Sequence, residues 1–207
     1  MLLCEIGNSF YHFYKNGTFW KEEAYKLPNL RTKEPIYTIS VNDKSLKRLK
    51  EYYEVIEIAE FCHLDTGYLG LGVDRAFACM AIDDGVIVDA GSAITVDVMQ
   101  GGSHLGGFIL PGFAAVKGAF DSISEKLDVG VNFGVNLNTL PQNTKDAVSF
   151  GMVYPVISAI ESAARGKFIH FTGGDGQFLS RFFSNSIVDE LLVFKGMQKA
   201  LKREGIW

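Results

Sequence analysis

Apolar positions open the chain in short runs with polar punctuation. Leu2 to Ile6 predicts a strand, and residues 10–14 and 18–25 flank Lys15-Asn16-Gly17. Asn-Gly between two aromatic-rich runs is a strong hairpin signal, so the opening reads strand, turn, strand, hairpin, strand. A polar stretch over residues 28–34 follows. Residues 36–41 then predict a strand, 45–53 a helix and 55–59 another strand.

From Val86 the order begins again. Residues 86–89, 94–99 and 105–110 predict strands with glycine-rich joints, followed by helices over 114–126 and 145–164. Residues 167–171 and 191–194 read as later strands, with a helix near 177–183 between them and a final helix over 196–203. The pattern predicts an α/β protein of two related lobes, 1–82 and 83–207, each βββαβα with a mixed sheet. Nothing Pro-rich or Ser-rich joins them, and an interface between lobes is expected rather than a tether.

Composition narrows the class. With 207 residues, 47% of them hydrophobic and 13% aromatic, the chain has ample material for a packed core. Its 20 basic and 24 acidic residues give a net charge of −4 and form no long block, so nothing electrostatic favours nucleic acid. Cys4, Cys62 and Cys79 are widely spaced inside apolar runs, as reduced thiols of a cytoplasmic protein would be. No basic segment leads into an apolar one at the start, and the apolar stretches fall short of the ~20 residues that span a bilayer. Neither secretion nor membrane insertion is expected. His12, His63, His104 and His170 show no metal-ligand spacing.

Four glycine-rich constellations carry the candidate chemistry. Glu5-Ile6-Gly7-Asn8 and Asp89-Ala90-Gly91-Ser92 each follow the first strand of a lobe and lead into the second. Glycine lets backbone N–H groups approach phosphate oxygens, Asn or Ser adds a donor, and the carboxylate can hold a cation that binds phosphate. Either turn alone is equally a common structural turn; the duplication is what makes the pair informative. No Walker A or Gly-x-Gly-x-x-Gly fingerprint is present. Gly70-Leu71-Gly72-Val73-Asp74-Arg75 precedes an apolar run and sets a carboxylate and a guanidinium at a helix start, where Asp74 could accept a hydroxyl proton or simply cap the helix. In 101–112, Gly101-Gly102 reads as a hairpin, whereas Pro111-Gly112 opens a helix. Phe171-Thr172-Gly173-Gly174-Asp175-Gly176 is either a tight strand-to-helix turn or bare backbone against which a base or ribose lies.

In this order the motifs resemble the type III pantothenate kinases of the actin, sugar kinase and heat-shock ATPase superfamily, with Gly106-Gly107-Phe108-Ile109-Leu110-Pro111-Gly112 and Asn143-Thr144 completing the match. The resemblance implies ribonuclease H-like lobes with a cleft between them, and transfer of the ATP γ-phosphate to pantothenate on the way to coenzyme A. It implies Asp74 as general base, and Gly72, Val73, Asp74, Arg75, Thr144 and Tyr68 as substrate contacts. Glu5, Ile6, Gly7, Asn8, Ser9, Phe10, Tyr11, His12 and Ser92 are implied for ATP. Asp89 is implied as ligand of a monovalent cation, potassium or ammonium, with Mg²⁺ accompanying ATP. A cytoplasmic homodimer whose substrate pocket is completed by the partner is expected.

The chain departs from the family pattern in places. Glu5 stands where Asp is usual, and Ser9 and Ser92 where Thr is usual. Tyr68 lies nearer Gly72 than the family's substrate-contacting Tyr, without its Pro. The chain is also shorter than is typical of the family. Two rival readings follow: a kinase of this fold for another small hydroxylated metabolite, and a nucleotide-binding accessory protein that has lost catalysis.

Overall fold

The first apolar run becomes strand β1 (Leu2–Ile6), which pairs antiparallel with β2 (Phe10–Lys15), and β2 pairs antiparallel with β3 (Thr18–Glu23). Asn16 and Gly17, at φ 49° and 84°, form the hairpin turn between β2 and β3, as Asn-Gly requires. On the other side β1 pairs parallel with β4 (Ile36–Ser40), and β4 with β5 (Val55–Glu57), giving the mixed order β3-β2-β1-β4-β5. Helix α1 (Asp43–Lys50) joins β4 to β5, and Asn42 caps it by accepting from Ser45 N.

The computed structural model describes residues 1–207 and divides into two compact units. Unit 1 comprises Met1–Asp84, Met99–Gly106 and Asp189–Trp207; unit 2 comprises Gly85–Val98 and Gly107–Val188. In unit 1 a short strand, β6 (Asp65–Thr66), precedes helix α2 (Val73–Met80). One face of the sheet buries Leu2, Cys4, Ile6, Tyr11 and Phe13. The other buries Leu3 and Ile39 with Phe77 and Met80 of α2.

Unit 2 contains β7 (Gly85–Ala90) and most of β8 (Ala93–Gln100) and β9 (Ser103–Pro111), whose tips belong to unit 1. Helices α3 (Phe113–Ile123) and α4 (Thr144–Ala164) follow, then β10 (Ile169–Thr172), α5 (Gly176–Ser180) and β11 (Ser186–Val188). The strands run in the order β11-β10-β7-β8-β9, with β6 beside β9. In the unit 2 core Val86, Val88, Ile94 and Val96 meet Val148, Met152, Val156 and Ile160 of α4. Gly101 and Gly102, both at positive φ, form the β8–β9 turn and bond through their N–H groups to Asp84 Oδ1 and Asp83 O.

Two expectations need correction. The strand expected over 191–194 is instead the start of helix α6 (Leu192–Arg203), and the strand in this region is β11. Phe194, Met197 and Leu201 all lie buried in the unit 1 core, so the helical period of α6 wins over the brief apolar run at its start. Nor are all apolar segments far short of a membrane span. Helix α4 has 21 residues and a mean hydropathy of 1.4 over its best window, enough by length and composition to cross a bilayer. Its Val148, Met152, Val153 and Ile160 are buried in the unit 2 core, as in the core helix of a globular protein.

Candidate functional site

In unit 1 the end of β1 turns through Gly7, Asn8 and Ser9 into β2, and Gly7 N closes the turn on Phe10 O at 2.9 Å. Asn42 Nδ2 approaches the carbonyls of Gly7 and Asn8, both at 3.5 Å, so α1's cap also steadies this turn. Asn8 and Ser9 are exposed, whereas Ile6 and Tyr11 are fully buried. The Tyr11 hydroxyl donates to Ser45 O at 2.9 Å. Within the segment expected to meet ATP, Ile6 and Tyr11 are therefore core residues that leave only their backbone to a ligand. The Glu5 carboxylate contacts His12 Nδ1.

Gly72 is the cap residue just before helix α2, and Asp74 lies in the helix's first turn. Asp74 Oδ1 accepts from Arg75 N at 2.8 Å. A Cβ on Gly72 would stand 2.7 Å from that same oxygen, so glycine is what lets the carboxylate fold back over the helix start. Burial pushes the Asp74 carboxyl above the ordinary carboxylate range; the Arg75 N–H partly opposes this, and the nearby negative charge of Glu5 adds to it. Arg75 is buried at 7% exposure with its guanidinium 5.1 Å above the Tyr68 ring. The Tyr68 ring in turn lies 5.9 Å from His104, whose Nδ1 is 2.8 Å from Thr66 Oγ1. Tyr68, Gly72, Asp74 and Arg75 thus form one cluster. Behind it, α6 lies against α2 at Gly196, where a Cβ would fall 2.6 Å from the Phe77 carbonyl carbon.

In unit 2 the second acidic-x-Gly turn is built by three segments. Gly91 N bonds Ala93 O at 2.9 Å within the turn, and Gly112 N bonds Ser92 O at 3.1 Å from the start of α3. Asp175 N bonds Ala90 O at 2.9 Å. A Cβ on Gly112 would stand 2.7 Å from Ser92 O, and one on Gly173, at φ +78°, would stand 2.5 Å from Ala90 O and closer still to Asp89 Oδ1. Close backbone packing at the end of β7 therefore accounts for both glycines. Burial raises the Asp175 carboxyl above its ordinary range. Thr144, at the exposed first turn of α4, lines a groove of about 580 Å³ with Phe120, Leu127, Pro141 and Asn143.

Sequence reasoning missed the Glu5–His12 pair and the Gly196 contact. The first was legible in antiparallel register, which sets residue 5 opposite residue 12. The second had no signal beyond a glycine in a helix.

The two mixed sheets and these turns define an α/β fold of the actin-like kind, consistent with duplicated ribonuclease H-like lobes. At the level of fold alone, the ethanolamine utilization protein EutJ of Carboxydothermus hydrogenoformans is similar, at TM-score 0.51 and 13% identity over 97% of this chain and 88% of its own. A Campylobacter jejuni protein, described as a candidate Baf family transcriptional activator, is 40% identical with a TM-score of 0.88 over 100% of both chains. The family model for type III pantothenate kinase matches residues 21–166. Proteins named type III pantothenate kinase from Helicobacter hepaticus and Wolinella succinogenes are 52% and 51% identical, covering 99% and 98% of this chain and 100% and 97% of their own. The chain belongs to the type III pantothenate kinase family. Its short length is shared with these relatives.

Proposed function

We propose that the protein transfers the γ-phosphoryl group of ATP to the primary hydroxyl of pantothenate, the first step towards coenzyme A. The observation that carries this reading is Asp74, a carboxylate fixed at a helix start beside Arg75 and Tyr68, with a raised pKa suited to taking a hydroxyl proton. Phosphoryl transfer needs positioning and charge neutralisation more than covalent chemistry. Asp74 acts as general base, Arg75 holds the pantothenate carboxylate through its planar fork, and Gly72, Val73 and Tyr68 shape that end of the pocket. The Glu5 turn and Ser92 receive phosphate oxygens.

Asp89 suits a monovalent cation such as potassium or ammonium. Asp89 Oδ1 and Ala90 O, both hard oxygen donors, lie near one another at the end of β7, where Gly173 packs against them. When bound, that cation and the Mg²⁺ accompanying ATP supply positive charge to the phosphates. The protein itself fixes the carboxylate by packing the end of β7 against Gly173.

A cytoplasmic homodimer completes the proposal. Ile123, Leu140 and Tyr154 of unit 2 are 70%, 77% and 45% exposed, apolar surface that a second copy would cover. The duplication is proposed to divide at 82/83. The compact units are assembled differently, because α6 returns to α2.

ADP release measured across a panel of hydroxylated metabolites, in potassium and then in sodium, tests the substrate and cation assignments. Pantothenate is expected to be preferred and potassium required. A different preferred alcohol would overturn the substrate, and indifference to the ion would remove Asp89 as a cation ligand.

A further inference from the structure

The carboxylate of the first acidic-x-Gly turn does not stand alone. Glu5 lies opposite His12 in the β1–β2 register, and its Oε2 meets His12 Nδ1. Its Oε1 turns the other way, 3.4 Å from the place a Cβ on Gly7 would occupy. A carboxylate can only accept, so Nδ1 carries the proton in this contact. The two side chains are only 13% and 30% exposed, which strengthens the bond relative to a surface pair. The imidazole is oriented independently of Glu5: its ring stacks on Phe19 at 5.9 Å and lies 6.1 Å from Phe10.

We propose that His12 is a positioning residue for the first phosphate turn, drawing back one oxygen of the long Glu5 side chain so that the other stays at Gly7, at the head of the turn. An aspartate, one methylene shorter, would hold its oxygens farther from His12 across the strand pair. The Glu5 side chain and His12 therefore work as a unit, and the added length of Glu5 is taken up by a partner rather than swinging into the nucleotide site. This inference rests on the reading of Glu5-Ile6-Gly7 as a phosphate turn.

The test is MgATP affinity by titration calorimetry without pantothenate, on wild type, Glu5→Gln, His12→Asn and His12→Gln, and on the two His12 variants combined with Glu5→Asp. The asparagine amide nitrogen falls near Nδ1 and can still donate to Glu5; the glutamine amide falls near Nε2 and cannot. His12→Gln is expected to weaken MgATP binding about three- to tenfold, the range an ordinary hydrogen bond's net contribution supports. His12→Asn should stay within about twofold of wild type on the same scale. In the Glu5→Asp background the difference between His12→Asn and His12→Gln should vanish. Indistinguishable His12→Asn and His12→Gln proteins, with Glu5→Gln still weakening MgATP, would overturn the positioning role alone. MgATP affinity unchanged in Glu5→Gln would overturn the phosphate turn and the inference with it. Both His12 variants are polar and of similar size, and matched thermal melting temperatures exclude a folding defect as the source of any difference.

Discussion

Replacing Asp74 by asparagine separates the chemistry from the fold more cleanly than any other single change. The asparagine Oδ1 can accept the Arg75 N–H as the carboxylate does, and its shape fits over Gly72 in the same way. What is lost is the basic oxygen. Removing a general base costs on the order of 10² to 10⁴ in rate, or about 2.7 to 5.5 kcal/mol of transition-state stabilisation. Stability should move the other way. Burial and the Glu5 charge raise the Asp74 carboxyl above its unfolded value, so the folded protein binds that proton more tightly. The contribution favours folding at low pH and turns unfavourable as pH rises through the folded pKa. An asparagine escapes that penalty. At neutral pH Asp74→Asn is expected to melt no lower than wild type, and the difference should shrink as pH falls through the carboxylate range. The assay is ADP release at saturating MgATP and pantothenate, beside thermal melts at acid and neutral pH. Near-normal turnover would refute Asp74 as base, and a variant that melts well below wild type at neutral pH would refute the account of its environment.

Other changes test neighbouring parts of the site. Glu5→Gln removes a negative charge that raises the Asp74 carboxyl, so the acid limb of kcat at saturating MgATP should move to lower pH; an unmoved limb would mean that the two carboxylates do not interact. Gly173→Ala forces a side chain into positive φ and against Ala90 O, and should destabilise unit 2 by about 1–3 kcal/mol while blunting the response to potassium. An unchanged melting temperature and ion response would show that the β7 end tolerates a Cβ. Gly196→Ala presses α6 off the Phe77 carbonyl of α2, and should lower the stability as an overpacked core does, by about 1–3 kcal/mol or more. Denaturant midpoints equal to wild type would contradict it.

Much of the fold is legible because its local signals agree with its packing. β1 matches its apolar run residue for residue, and the Asn16-Gly17 turn fixes the hairpin. The failures come where a short apolar run fits two periods. Residues 191–194 suit a buried strand or a buried helix, and only their spacing to Met197 and Leu201 on the α2 side decides. Strands as short as β6 and β11 carry too few residues for alternation to show. In the candidate site, the motif residues were visible but their partners were not. Nothing adjacent to Glu5 in sequence announces His12, which arrives through strand register. Gly173 and Gly112 have the look of ligand-facing glycines, yet both lack a side chain because backbone carbonyls of the Asp89 turn occupy that space.

The central claim is that this chain phosphorylates pantothenate with Asp74 as base. Its most direct test is mass-spectrometric quantification of phosphopantothenate against ADP, formed from ATP and pantothenate in potassium buffer by wild type and by Asp74→Asn. The account predicts product and ADP in equal amounts from wild type and a loss of at least about a hundredfold in the variant. No phosphopantothenate from the wild-type protein, or equal yields from both proteins, would contradict it.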